Sequence, residues 1–163
     1  MNRPRNILLA EDNDDDVFLL QEAFKKARGT AQLHVVMDGL HALAYLNGDE
    51  PYSDRNTHPF PDVLLLDINM PQKNGFEVLE WVRRDSRCSP LVVHILTASP
   101  REGDIQRAYD LRANSYVIKP SRVDELVAFV TALHDWHRFT AFPQYTGVSL
   151  SSKPGSVGGN TPD

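Results

Sequence analysis

Residues 63–71 read Val-Leu-Leu-Leu-Asp-Ile-Asn-Met-Pro. Four consecutive apolar residues, without the polar alternation of a half-solvated strand, describe a strand buried on both faces. The run stops at a carboxylate, Asp67, and Pro71 to Gly75 then turn the chain into a helical pattern carrying Phe76, Leu79 and Val82. The N-terminus repeats this arrangement. Ile7-Leu8-Leu9-Ala10 stops at Glu11-Asp12-Asn13, Asp14 stands as N-cap, and Val17, Leu20, Phe24 and Ala27 recur at helical spacing before Arg28-Gly29.

Working outward, Leu33–Met37 forms a second strand, and a short helix after Gly39 carries Leu40, Leu43, Ala44 and Leu46 up to Asn47-Gly48. A polar, proline-bearing segment from Asp49 to Asp62 is long for a connection in a compact domain, so it is either a mobile surface excursion or an added functional surface. Leu91–Leu96 is a fourth strand ending at Thr97-Ala98-Ser99, and Tyr116–Ile118 a fifth ending at Lys119-Pro120. The helix between them has a narrow stripe, Ile105, Ala108 and Leu111, which suits a moving element. A stronger last helix begins near Asp124 and carries Leu126, Val127, Val130 and Leu133. Beyond Phe142-Pro143 the chain turns rich in Gly, Ser and Pro, and disorder is expected from about residue 148. The division read from this pattern is a folded domain over 5–138 and a C-terminal extension over 139–163.

Strict alternation of strands and helices implies an α/β fold with a doubly wound five-stranded parallel sheet, because parallel strands need right-handed helical crossovers. In such sheets ligands bind outside the carboxyl ends of the strands, where this sequence puts Glu11, Asp12, Asp67, Thr97 and Lys119. Three carboxylates in one crevice repel one another unless a cation compensates. Hard oxygen donors without histidine or cysteine select Mg²⁺, or Mn²⁺ in its place. An Asp can attack phosphorus to give an acyl phosphate, with metal, ammonium and hydroxyl clamping the transferring oxygens, and Asp67, Lys119 and Thr97 fit those parts.

Taken in order, Leu-Ala-Glu-Asp-Asn, Leu-Leu-Leu-Asp-Ile-Asn-Met-Pro, Leu-Thr-Ala and Ile-Lys-Pro resemble the response-regulator receiver domains of two-component systems over roughly residues 5–138. The resemblance implies a flavodoxin-like (βα)5 fold with strand order 2-1-3-4-5. It implies Asp67 as phosphoacceptor, and Mg²⁺ held by Glu11, Asp12, Asp67 and the main-chain carbonyl of Asn69. Thr97 and Lys119 would bind the phosphoryl group, Tyr116 would be the switch aromatic that follows Thr97, and Lys119-Pro120 would be a cis peptide. The implied activity is a phosphoprotein switch rather than an enzyme, with at most self-phosphorylation and autodephosphorylation. The Asp-rich start, the long loop before the third strand and the aromatic C-terminal segment resemble the single-domain regulators that partner phytochrome-type histidine kinases. For that subgroup the resemblance implies a sensor kinase upstream, a protein partner downstream, and a homodimer through the fourth and fifth helices or the C-terminal segment.

Charge and composition set bounds on partners. The formal net charge of −5 with no long basic run argues against direct nucleic-acid binding, and 41% hydrophobic with 24% charged residues is ordinary for a globular protein. No apolar N-terminal segment or membrane span stands out, and the single cysteine, Cys88, cannot form an internal disulfide, so a cytoplasmic location is the default. Cys88 is expected to be a loop or partly buried thiol without chemistry. Each site residue also has a plainer reading: Asp67 as a turn cap, Glu11 and Asp12 as partners of a helix dipole, Tyr116 as an ordinary strand aromatic. Asp14, Asp15 and Asp16 are read as cap and solvated face, His94 as a packed, hydrogen-bonded strand residue, and His134 and His137 as surface residues. His34, His41 and His58 lack ligand spacing. Trp136, Phe139, Phe142 and Tyr145 form either a local cap over the sheet edge or a partner patch. Two other functions compete. A haloacid-dehalogenase-like phosphatase would carry its nucleophile on the first strand with a second Asp two residues on, whereas here Ile68-Asn69 follow Asp67 on the third. A phosphate-independent, receiver-like interaction module would do without the chemical residues that are all present.

Overall fold

The computed structural model describes residues 3–145. Five strands, β1 (Asn6–Ala10), β2 (Gln32–Val36), β3 (Val63–Leu66), β4 (Val92–Thr97) and β5 (Ser115–Ile118), alternate with five helices. These are α1 (Asp14–Lys26), α2 (Gly39–Asn47), α3 (Gly75–Arg84), α4 (Glu102–Asp110) and α5 (Val123–Phe139). Every strand pairing is parallel, in the order β2-β1-β3-β4-β5 that the resemblance implies.

The uninterrupted apolar strands work because both sheet faces are covered. Leu8, Ala10, Leu64, Leu66, Val93 and Ile95 face α2, α3 and α4 through Tyr45, Leu46, Phe76, Leu79 and Ala108. The alternate residues, Ile7, Leu9, Val63, Leu65 and Leu96, face α1 and α5 through Leu20, Ala23, Leu126, Val130 and Leu133. Each Leu or Ile sealed this way contributes roughly 1.5–3 kcal/mol. Helix α4 buries only Ala108, in keeping with its narrow stripe.

Local chemistry sets the helix ends, with one correction. Asn13, not Asp14, caps α1: its backbone is extended and its side chain accepts from Asp16 N at 3.0 Å. Asp14 to Asp16 then fill the first turn, where the helix dipole favours negative charge. A capping box between Asn74 and Glu77 starts α3, so the turn after β3 has a fixed exit. Gly48 ends α2 in the left-handed region at φ 79°.

The 49–62 segment is tied down. Arg55 donates to the carbonyls of Tyr45 (2.7 Å), Leu46 (3.0 Å) and His58 (3.2 Å), and Tyr52 and Phe60 pack on the core. Asp62 is fully buried, accepting from both terminal nitrogens of Arg3 (3.0 and 2.6 Å) and from Asn6 N (2.9 Å).

The expectation of surface histidines on α5 is wrong: His134 and His137 are buried. Residues after the helix fold back, placing Phe142 against the His137 ring, while Gly29 lies so close to His134 that a Cβ there would sit 2.5 Å from its ring. Phe142 is itself buried and Tyr145 stacks on Phe60, so these two aromatics cap the domain, whereas Trp136 and Phe139 stay exposed. His94 is packed as expected, its Nδ1 2.6 Å from Ser115 Oγ. Cys88 is buried more deeply than expected, and burial pushes its thiol up to about 12. No described helix is long and apolar enough to cross a membrane. The disorder expected from about residue 148 lies outside the described residues.

Candidate functional site

The sheet ladder continues past the strand ends and fixes the site backbone. Glu11 N donates to Val36 O (3.1 Å), Asp67 N to Ala10 O (3.0 Å) and Lys119 N to Thr97 O (2.8 Å). One edge therefore carries Glu11 and Asp12 from β1, Asp67 from β3, Thr97 from β4 and Lys119 from β5. Gly75 lets α3 begin against this edge, since a Cβ there would meet Asp67 O at 2.2 Å.

Glu11, Asp12 and Asp67 each offer a carboxylate oxygen, and these three atoms lie within 4.8 Å of one another. Glu11 and Asp67 are buried and Asp12 is exposed, which gives a cation an open side. The Lys119 ammonium lies 3.6 Å from Asp67 Oδ2 and 2.9 Å from Asp16 Oδ2. It also pairs with Glu11 Oε2 at 2.5 Å, but as an ion pair without hydrogen-bond alignment, so that buried oxygen has no aligned donor among the described residues. An all-oxygen set with a buried, under-satisfied carboxylate suits a hard divalent cation.

Crowding is visible in the electrostatics. Burial drives the Glu11 carboxyl up to about 7, with the negative charge of Asp67 adding to the rise and the Lys119 ammonium only partly opposing it. Burial would lower Lys119, but its close contacts with the Glu11 and Asp16 carboxylates and the charge of Asp67 outweigh it, so its pKa is raised and the amine stays charged.

Thr97 is fully buried at the end of β4, its Oγ1 3.5 Å from Ser99 N. Tyr116 packs against the core, and its hydroxyl donates to Ser99 O at 2.8 Å, linking β5 to the loop after Thr97. Asn69 is exposed, its N–H 3.4 Å from Asp67 Oδ1. The cis assignment of Lys119-Pro120 is corrected: among the described residues the cis X-Pro bond is Glu50-Pro51. The trans form is the lower-energy one for X-Pro, and the main-chain bond to Thr97 O holds Lys119 at the site in that form.

Two features were missed from sequence. Asp16, read as solvated surface, reaches Lys119; its position four residues before buried Leu20 places it on the edge of the inward stripe, which was the available signal. Ser99 Oγ donates to Asp104 at 2.6 Å, and Arg101 Nε donates to the same carboxylate at 3.0 Å. No sequence periodicity announces this link between the Thr97 loop and α4.

A flavodoxin-like α/β domain that gathers three carboxylates, a buried hydroxyl and an ammonium at the carboxyl edge of its sheet has the groups that Asp-based phosphoryl transfer uses. The chain belongs to the response regulator receiver domain family, whose model matches residues 7–131. It is 33% identical over 135 residues to the response regulator Rcp1 of Synechocystis sp. (strain ATCC 27184 / PCC 6803 / Kazusa), spanning 83% of this chain and 90% of that one. Solved structures similar to it include the Mn²⁺-bound form of Rcp1, at 32% identity and TM-score 0.76, covering 86% of this chain and 100% of that one. The phosphorylated cyanobacterial phytochrome response regulator RcpA matches at 33% identity and TM-score 0.79, covering 87% and 100%. The response regulator RPA3017, in red light signaling of R. palustris, matches at 35% identity and TM-score 0.81, covering 87% and 99%.

Proposed function

We propose that this receiver takes a phosphoryl group onto Asp67 from the phosphohistidine of a sensor kinase and signals through protein contacts. The observation that carries the reading is the cluster itself: three carboxylate oxygens within 4.8 Å, with an ammonium 3.6 Å from Asp67. Glu11, Asp12, Asp67 and the carbonyl of Asn69 would hold Mg²⁺, or Mn²⁺ as in the similar Rcp1 structure. When bound, the ion supplies charge neutralisation on the transferring oxygens. In the transfer, an Asp67 oxygen forms the new P–O bond, the donor P–N bond breaks, and the imidazole leaving group takes up a proton. Lys119 balances charge on the phosphoryl oxygens, and the Thr97 hydroxyl donates to one of them. That pull on Thr97 reaches Tyr116 through the Ser99 loop, which is the basis of the switch. The domain's own chemistry is confined to taking up and losing phosphate.

The kinase is proposed to be of phytochrome type, because two of the similar structures are named for phytochrome or red-light signalling. A cytoplasmic location and a homodimer through the α4–α5 side accompany that reading; Tyr109, Ile118 and Val123 are exposed apolar residues on α4, β5 and α5. The test is intact mass after incubation with acetyl phosphate and Mg²⁺. One phosphoryl adduct, lost in Asp67→Asn and with chelator, is expected. No adduct with acetyl phosphate or a kinase would favour a phosphate-independent interaction module.

A further inference from the structure

We propose that Asp16 is a positioning residue for Lys119, holding its ammonium off Asp67 until a phosphoryl group competes it away. The inference rests on the acceptor reading above. Lys119 Nζ meets three carboxylates, yet only Asp16 receives an aligned hydrogen bond, at 2.9 Å. Asp67 stands at 3.6 Å, beyond hydrogen-bond reach, and Glu11 is an unaligned ion pair.

The three acids differ in what they can yield. Glu11 and Asp67 side chains are 1% and 6% exposed and anchored at strand ends, whereas Asp16 is 38% exposed on the first turn of α1. A carboxylate at that depth can exchange an ammonium for water at little cost, so its hold is reversible. Lysine suits the exchange, being a compact charge on a flexible four-carbon stem. A cavity of about 80 Å³ lined by Asp16, Leu20, Lys119 and Pro120 lies beside the pair and leaves both side chains room to re-aim. A phosphoryl group on Asp67, whose carboxylate already lies 3.6 Å from the ammonium, adds negative charge within its reach, and Lys119 then leaves Asp16 for it. Asp16 thus sets how readily the lysine becomes available to the phosphoryl group.

Asp14 and Asp15 lie in the same turn, are exposed, and make no contact with Lys119, so Asp15→Asn removes an equal charge without touching the pair. The experiment measures the affinity of the full chain for beryllofluoride, a phosphoryl mimic, with Mg²⁺ present, by ¹⁹F NMR. Asp16→Asn is expected to tighten binding roughly three- to fivefold, the range for a partly exposed ion pair, and Asp15→Asn to change it by less than about twofold. In a Lys119→Ala background Asp16→Asn should have no effect, which closes a double-mutant cycle on the pair. As a second readout on otherwise wild-type protein, the Lys119 side-chain ¹⁵N signal should respond to Asp16→Asn and not to Asp15→Asn. Equal effects of Asp15→Asn and Asp16→Asn, an Asp16→Asn effect that survives without Lys119, or unchanged or weaker binding would each overturn the proposal. Failure of the wild type itself to bind beryllofluoride with Mg²⁺ would instead overturn the acceptor reading on which it rests. Asp16→Asn keeps the main-chain N–H that Asn13 accepts, so the cap and the fold are retained.

Discussion

His94 on β4 and His137 on α5 flank the Trp136 ring, with centroid separations of 5.3 and 5.4 Å, and are only 9% and 5% exposed. Burial lowers both to about 4 from the ordinary 6.5; for His137 the charges of His134, His94 and Arg5 push in the same direction. A histidine depressed on folding is fully tolerated above 6.5. Between 6.5 and 4 the unfolded chain binds the proton and the folded one does not, so stability falls as pH falls through that window. At about 1.4 kcal/mol per pH unit, each residue costs roughly 3 kcal/mol by pH 4 and about 2 kcal/mol at pH 5. Glu11 runs the other way: raised to about 7 from 4.5, it makes the fold lose stability as pH rises between those values, masking one histidine in wild type. The informative quantity is therefore a difference. His137→Leu should lie within about 1 kcal/mol of wild type at pH 8, because neither ring nitrogen has a hydrogen-bond partner among the described residues. In urea unfolding followed by tryptophan fluorescence, the variant should then gain about 2 kcal/mol on wild type between pH 8 and pH 5. Parallel pH dependence in the two proteins would refute the reasoning, because His137 would then titrate alike folded and unfolded.

Other substitutions probe the supports of the site. Gly75→Ala forces a Cβ to 2.2 Å from Asp67 O and 2.7 Å from Ile68 Cα, both backbone atoms. It should cost about 1–3 kcal/mol in urea unfolding and lower phosphate uptake by displacing Asp67, and wild-type values for both would contradict this. Asp62→Ala strands Arg3 and Arg5, but Arg3 is half exposed, so the loss should be about 2–3 kcal/mol rather than the 3–5 kcal/mol of a fully buried pair; a change under about 0.5 kcal/mol would be inconsistent with the contacts. Arg55→Ala removes three bonds to main-chain carbonyls and should raise hydrogen exchange and protease cutting within residues 49–62 while leaving the sheet protected, which unchanged exchange there would contradict.

The fold was legible because each strand is an unbroken apolar run ending in a polar residue, and an alternating series of such runs has few packed solutions. The order of the strands came from the resemblance, since periodicity carries no information on which strand neighbours which. The edge bearing Glu11, Asp12, Asp67, Thr97 and Lys119 was legible for the same reason: residues at strand ends in a parallel sheet share one side. Side chains that depend on tertiary neighbours were not. His134 and His137 sit at surface-compatible spacing and are buried by Gly29 and by Phe142, the latter from a segment with no period of its own. Asp16 reads as one of three solvated acids; its spacing from Leu20 sets it at the edge of the inward stripe, but its partner, the lysine arriving from β5, is a tertiary neighbour that no local pattern names. Asn13 took the cap from Asp14 because either residue type can cap, and the extended backbone at Asn13 decides between them.

The most direct test of the central claim is to locate the phosphate. Wild-type protein treated with acetyl phosphate and Mg²⁺ is reduced with borohydride, which converts an aspartyl phosphate to homoserine, and then mapped by peptide mass spectrometry. The account predicts homoserine at position 67 and at no other carboxylate, with none formed when the metal is chelated. A phosphoryl group on Glu11 would give 5-hydroxynorvaline instead, which is chemically distinguishable; that product, homoserine at Asp12 or Asp16, or a phosphoryl group retained on a histidine would contradict it.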